Sequence, residues 1–285
     1  MFLCFYSAAA NNITFAKNYF MKHLLAIFLF SLLAFSASGQ VAVDTSFKLP
    51  AHEKLHYDVF YKLGRIWIKA GLANFATDTV TVDSIKSYRF TAEGYSMKKY
   101  DWIFSLEDHY KSVVNYKTLY PVRFEKENTE QGVWVHTIYN FNRQTGSAGI
   151  YMESTQNQPV NKTIKINGFI TDALSALYYL RSWDFSRFSF GDTIKFNTIL
   201  DGKTFEQPVV YLGKDTLTSL SHNRVPMIKL GAVVANSTFF RGDSAILVWI
   251  TDDDYRRLAK VKAKIVVGSI VVYLNKRGLE SFGPE

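Results

Sequence analysis

From Lys54 onward apolar and polar residues alternate with a period of two. Leu55, Tyr57, Val59 and Tyr61 fall on one face, and His56, Asp58, Phe60 and Lys62 fall on the other. That is the signature of a strand more deeply covered on one side. Leu63-Gly64 turns the chain into residues 65–73, which alternate again, so the two segments predict a hairpin. Residues 80–82 and 87–95 predict a second pair about Asp83-Ser84, and residues 102–114 and 119–127 follow. Pro121 cannot donate to a ladder, so its segment is expected at an edge or a bulge. Val133, Val135, Thr137, Tyr139 and Phe141 alternate up to a turn over residues 142–146. Residues 193–200 and 203–211 flank Asp201-Gly202. This is the strongest local hairpin signal, because both central residues of such a turn need positive φ. Residues 225–234, 245–250 and 263–274 bring the expected count to about a dozen strands, in the range of barrels and large rolls.

One stretch breaks the pattern. Over residues 171–184 Leu174, Leu177, Tyr178 and Arg181 recur at spacings of three and four, and Ala173, Ala176 and Leu180 extend the apolar character around the cylinder. The spacing predicts a helix that is largely buried, with Thr171 or Asp172 accepting the free N–H groups of its first turn. A lone buried helix needs a concave surface to receive it. The fold class expected is therefore mainly β, a large antiparallel barrel-like or roll-like curved sheet with one buried central helix. Residues 41–53 read as a polar, loosely held arm.

The first 39 residues read differently. Met21-Lys22-His23 precedes an apolar run over residues 24–35 broken only by Ser31, and then Ser36-Ala37-Ser38-Gly39. A charged start, an apolar centre and small residues make the pattern of a secretory signal peptide, with cleavage expected before Gln40. The run is shorter than the ~20 residues of a membrane span, so no stable transmembrane anchor is expected. Residues 1–39 are assigned to an upstream extension plus signal peptide, and 40–285 to a single β-rich domain long enough to bury its own core. The expected location is the periplasm.

Without Lys17 and Lys22 the remaining chain carries 31 basic and 25 acidic residues. The basic residues are scattered, with no run of five, so a nucleic-acid footprint is not expected. The one cysteine, Cys4, lies upstream of the expected cut, which leaves neither a disulfide nor thiol chemistry.

Three stretches carry a resemblance. Leu55-His56-Tyr57-Asp58-Val59 with Ala70-Gly71, then Thr171 to Arg181 followed by Asp184-Phe185 and Gly191-Asp192, and finally Val248-Trp249-Ile250-Thr251-Asp252-Asp253 with Val267-Gly268-Ser269-Ile270, are similar to motifs of the bacterial domain-of-unknown-function family 3108. The resemblance covers nearly all of residues 50–280. It implies an exported, mainly antiparallel, barrel-like or roll-like domain of Gram-negative bacteria, and it brings no catalytic residue. Leu258-Ala259 stands where the family usually has a proline, so the strand after the Thr-Asp-Asp turn is expected to enter differently.

Candidate chemistry is sparse. Asp252-Asp253-Asp254 could offer oxygens to Ca²⁺ or Mg²⁺, but adjacent turn residues diverge and Arg256-Arg257 are simpler partners, so a structural turn without metal is expected. His52 and His56 do not converge on a metal if the region is a strand. His109 beside Glu107 and Asp108 could be a general base, although a strand's polar face explains it as well. No G-x-S-x-G elbow or phosphate loop exists, and neither a catalytic residue nor a cofactor is assigned. The aromatic load suggests either an acyl or sugar cavity or the filling of a curved sheet. Three functions follow. The first is a non-enzymatic carrier of a hydrophobic or amphiphilic small molecule held between sheet and helix, with Leu177, Tyr178 and Trp183 as lining. The second is a scaffold binding envelope proteins through strand edges, and the third is an enzyme acting on envelope glycans. A tightly packed helix favours the second, and two convergent carboxylates favour the third.

Overall fold

The computed structural model describes residues 43, 44, 46–102, 104–232, 246–275 and 281–284. The signal-peptide pattern at 21–39 lies outside the described residues. The first half of the chain is a run of antiparallel hairpins: β1 (Glu53–Leu63), β2 (Ile66–Val82), β3 (Ile85–Ser96), β4 (Leu106–Asn115), β5 (Pro121–Glu130), β6 (Val133–Asn142), β7 (Ser147–Ser154) and β8 (Val160–Lys165). A three-residue strand, β9 (Ile170–Asp172), leads into the helix α1 (Ser175–Arg181). The second half is β10 (Thr193–Leu200), β11 (Lys203–Thr218), β12 (Arg224–Ala232), β13 (Ile246–Thr251), β14 (Leu258–Lys264) and β15 (Ser269–Leu274).

All fifteen strands join one sheet in the order β8 to β1, then β15 down to β9. The first and last strands therefore lie side by side at its middle, with Tyr57 opposite Leu274 and Lys62 opposite Ser269. Two wings extend from this seam. Every pairing is antiparallel except β9 with β10, and the two ends of the sheet, β8 and β9, are not hydrogen-bonded to each other. The sheet is barrel-like without being closed.

Turn chemistry explains the hairpins. Asp83 and Ser84 both take positive φ between β2 and β3, and so do Asp201 and Gly202 between β10 and β11. Such turns match the right-handed twist of the strands they join. Pro121 sits at a register shift against Val114, where its missing N–H disturbs no ladder bond.

The helix packs between the wings. Leu174 and Tyr178, four apart, join Phe90, Phe124, Tyr139 and Ile150 of the first wing. Tyr179 and Trp183, also four apart, join Phe196, Val209, Leu230 and Ile250 of the second. Burying residues of this size contributes roughly 1.5–3 kcal/mol each, so this small helix ties the two halves of the sheet together.

Four expectations need correction. The helix covers seven residues rather than 171–184, because Thr171 and Asp172 pair with β10 at Thr198 and Ile199 instead of coiling. Residues 41–53 are not a loose arm where they are described: Leu49 is buried, Asp44 pairs with Arg256, and Glu53 already belongs to β1. The strand expected over 263–274 is the end of β14, a turn and then β15, with Gly268 at φ +83° turning the chain back. Strands β7 to β9 were not anticipated.

Candidate functional site

Leu177, Tyr178 and Trp183 do not share one surface. Leu177 is partly buried against the first wing's core. Tyr178 lies flat on Phe90, ring centroids 3.7 Å apart and 5° from parallel, a stack worth about 0.5–1.5 kcal/mol beyond its buried area. Burial pushes its hydroxyl up to about 12. Trp183 has no exposed surface, and it meets Tyr179 of the helix and Phe196 of the opposite wing edge-on at 5.8 and 6.0 Å. The other tryptophans are not inside the sheet's curve. Trp67 and Trp249 share their face with lysines of the outer surface, and Trp134 points its indole N–H at Glu127.

Several charges inside the fold are matched by its own elements. Arg181, the last residue of α1, is almost fully buried. Its Nη1 donates to Glu53 Oε2 at 2.6 Å and its Nη2 to Glu53 Oε1 at 3.1 Å, a fork that binds the helix to β1. Nη2 also donates to the carbonyl of Tyr255 at 2.8 Å, and Arg257 Nε reaches Glu53 Oε1 at 3.3 Å. Arg256 donates to the Trp183 carbonyl at 2.9 Å and to Asp44 at 2.6 Å, which pins the chain ahead of β1. The hydroxyl of Ser46 and this guanidinium hold the Asp44 carboxyl down at about 2.

At the other end of the helix, Asp172 Oδ1 accepts the N–H groups of Leu174 and Ser175 at 2.9 and 2.8 Å, and Oδ2 accepts the Ser112 hydroxyl at 2.7 Å. Asp172 is thus the expected partner of the first turn. Burial still pushes its carboxyl up. A further pair joins buried Lys126 of β5 to half-buried Asp201 at 3.0 Å, and the N–H of Gly202 donates to the Tyr139 hydroxyl at 2.9 Å. These contacts draw the tip of the β10–β11 hairpin into the hollow of the first wing.

The sequence-level candidates for chemistry fall elsewhere. Asp253 Oδ1 accepts from Thr251 Oγ1 and from the N–H groups of Tyr255 and Arg256, so it builds its own turn, while Asp252 pairs with Lys214. Among the described residues no group of three or more His, Cys, Asp or Glu side chains could hold a metal ion. His109 meets Glu107 at 3.0 Å on exposed surface. One carboxylate pair does lie on the hollow side. Asp108 of β4 is buried opposite Asn128, and Glu130, two residues along β5, has its carboxyl raised by burial and then by the Asp108 charge. Sequence reading passed over Glu130, whose position opposite Leu106 at a hairpin end follows from strand register alone.

Comparison with known proteins follows the same lines. A family model described as "Protein of unknown function (DUF3108)" matches residues 56–275. No curated protein matches the sequence. A solved β-barrel-like protein of domain of unknown function DUF1849 from Brucella abortus aligns with a TM-score of 0.53 at 8% identity, over 81% of this chain and 98% of that one. The likeness is one of fold.

Proposed function

The chain belongs to the DUF3108 family, and from that premise we propose that it is an exported, non-enzymatic envelope scaffold that binds a protein partner along β8. The observation that carries this is the state of the sheet's two ends. Strand β9 is buried at all three positions and runs straight into the helix, whereas β8 is exposed at every position but Ile164. Among the described residues β8 has one sheet neighbour, β7. An exposed edge presents unpaired N–H and C=O groups to which another chain can add a strand. Lys162 and Lys165 guard it against indiscriminate pairing, as edge lysines do. The export pattern at 21–39 supports placing that partner in the envelope.

The alternative of a carrier for an amphiphile is less supported, because Tyr178 and Trp183 spend their surfaces on the protein's own aromatics. The Asp108–Glu130 pair is what an enzyme acting on glycans would need, yet Asp108 has no exposed surface to offer a substrate.

A photo-crosslinking residue in place of Thr163, in cells producing the protein, tests the scaffold reading. A discrete protein adduct is expected, and Asn161→Pro should abolish it while leaving the urea midpoint within about 0.5 kcal/mol of the parent. No adduct at Thr163, together with a stoichiometric amphiphile in a solvent extract of the native protein, would return the assignment to the carrier.

A further inference from the structure

Twelve large apolar side chains are exposed among the described residues, and four of them crowd one spot. Leu63 and Ile66 close the β1–β2 turn and are 44% and 59% exposed. Val266 and Val267 form the β14–β15 turn and are 48% and 59% exposed. Because Lys62 pairs with Ser269 across the seam, these two turns are neighbours. They also touch. Tyr61 donates its hydroxyl to the Val267 carbonyl at 3.1 Å, and a Cβ on Gly268 would stand 2.5 Å from the Lys62 carbonyl oxygen. Glycine is required there both by that approach and by its φ of +83°.

Cations flank the apolar tips. Register places Lys62, Lys262 and Lys264 on the same outer face of β1 and β14, with Lys62 and Lys264 both opposite Ser269. That separates Lys62 from Lys264 by two strand spacings, or roughly 10 Å, and Lys262 from Lys264 by about 7 Å. Among the described residues no ion pair joins these three to a carboxylate; Asp58 is taken by Lys69 and Asp215 by Lys229. Lys62 lies 4.3 Å over the ring of Trp67. The crowding is felt: burial, and then the charges of Lys62, Lys264 and Lys229, hold the Lys262 ammonium below its ordinary range.

From this geometry we propose that the paired turns are a membrane-docking tip. Leu63, Ile66, Val266 and Val267 enter the interface of an anionic lipid bilayer while Lys62, Lys262 and Lys264 rest on its headgroup phosphates. The occupant is a bilayer rather than a protein for three reasons. The apolar residues sit on the tips of two adjacent exposed turns. The cations are lysine point charges, which suit a fluid array of phosphates, whereas protein hot spots favour arginine forks. Trp67 and Tyr61 also supply the amphipathic rings that settle at the membrane–water boundary. Among the described residues no helix is long and apolar enough to cross a membrane, and surface docking requires none.

The experiment is co-sedimentation of the purified chain with phosphatidylcholine vesicles, with and without about 30% phosphatidylglycerol. Binding to the anionic vesicles alone, weakening as salt rises, is expected. The double substitution Ile66→Asp with Val267→Asp should weaken it by about tenfold or more. Lys62→Gln with Lys264→Gln should do the same, with the urea midpoint of each variant unchanged. Absence of binding to anionic vesicles, or equal binding by parent and variants, would overturn the proposal. So would self-association in sedimentation that Ile66→Asp with Val267→Asp abolishes, which would give the tips to a second copy of the chain.

Discussion

On the hollow side of the sheet Arg181 meets Glu53 through two hydrogen bonds, Lys126 meets Asp201, and Asp172 accepts three donors. On the outer side, at the seam where the first and last strands pair, Lys262 shares one face with Lys62 and Lys264. Neither region can be explained by composition, since both draw on the same lysines, arginines and carboxylates. What differs is whether the fold itself uses the charge. A buried ion must be paired and hydrogen-bonded or it costs several kcal/mol, so the hollow side keeps what its own elements need: a latch at each end of α1 and an anchor for the β10–β11 tip. Lysines on a half-exposed surface face no such demand. Their crowding costs a little stability and leaves a field for something outside the molecule.

Breaking the latch should have the largest effect. Glu53→Gln leaves Arg181 and Arg257 without their shared carboxylate, and the expected loss is about 3–5 kcal/mol by urea unfolding. A loss under about 1 kcal/mol would mean that water reaches Arg181 and that the hollow side is not the dry, closed region described. Asp172→Ala comes next. It deprives two backbone N–H groups and the Ser112 hydroxyl of their acceptor, and should cost about 1–3 kcal/mol.

How much of this contrast could be seen in the sequence depends on whether its signal is local. Period-two alternation located β1, the first half of β2 and β6, and Asp201-Gly202 located its hairpin, because turn geometry and one-sided burial act on neighbouring residues; the continuous course of β2 from Ile66 to Val82 was read as two strands. Leu174 and Tyr178 were legible as buried for the same reason, while Trp183 was read as lining for a ligand. Their destinations were not legible, since Tyr178 finds Phe90 and Trp183 finds Phe196 on opposite wings. Glu53 looked like part of a polar arm because its partner, Arg181, is 128 residues away. The β14–β15 turn was hidden by its own Val266-Val267, which prolong an apolar run where a polar turn is the rule. The feature that masked the turn is the one that makes it unusual.

Glu130 offers a smaller and pH-dependent test on the hollow side. Burial and the neighbouring Asp108 charge raise its carboxyl, so the folded chain holds a proton that the unfolded chain releases. Stability attributable to this group is therefore present at low pH and falls as pH rises from about 4 through the raised value. Glu130→Gln should flatten that slope and leave the protein slightly more stable than the parent at neutral pH. An unchanged difference between the two proteins from acid to neutral pH would show that Glu130 titrates normally.

The most direct test sets one lysine of each face side by side: the urea midpoints of Lys126→Gln and Lys262→Gln at low salt. If the hollow face uses its charge and the seam does not, Lys126→Gln lowers stability by about 1–3 kcal/mol, through loss of the charged hydrogen bond to Asp201. Lys262→Gln then leaves it unchanged or raises it by a few tenths, through relief of like charge. A loss at Lys262 as large as that at Lys126 would contradict the account, because the outer lysines would then belong to the fold and would not be free for a partner.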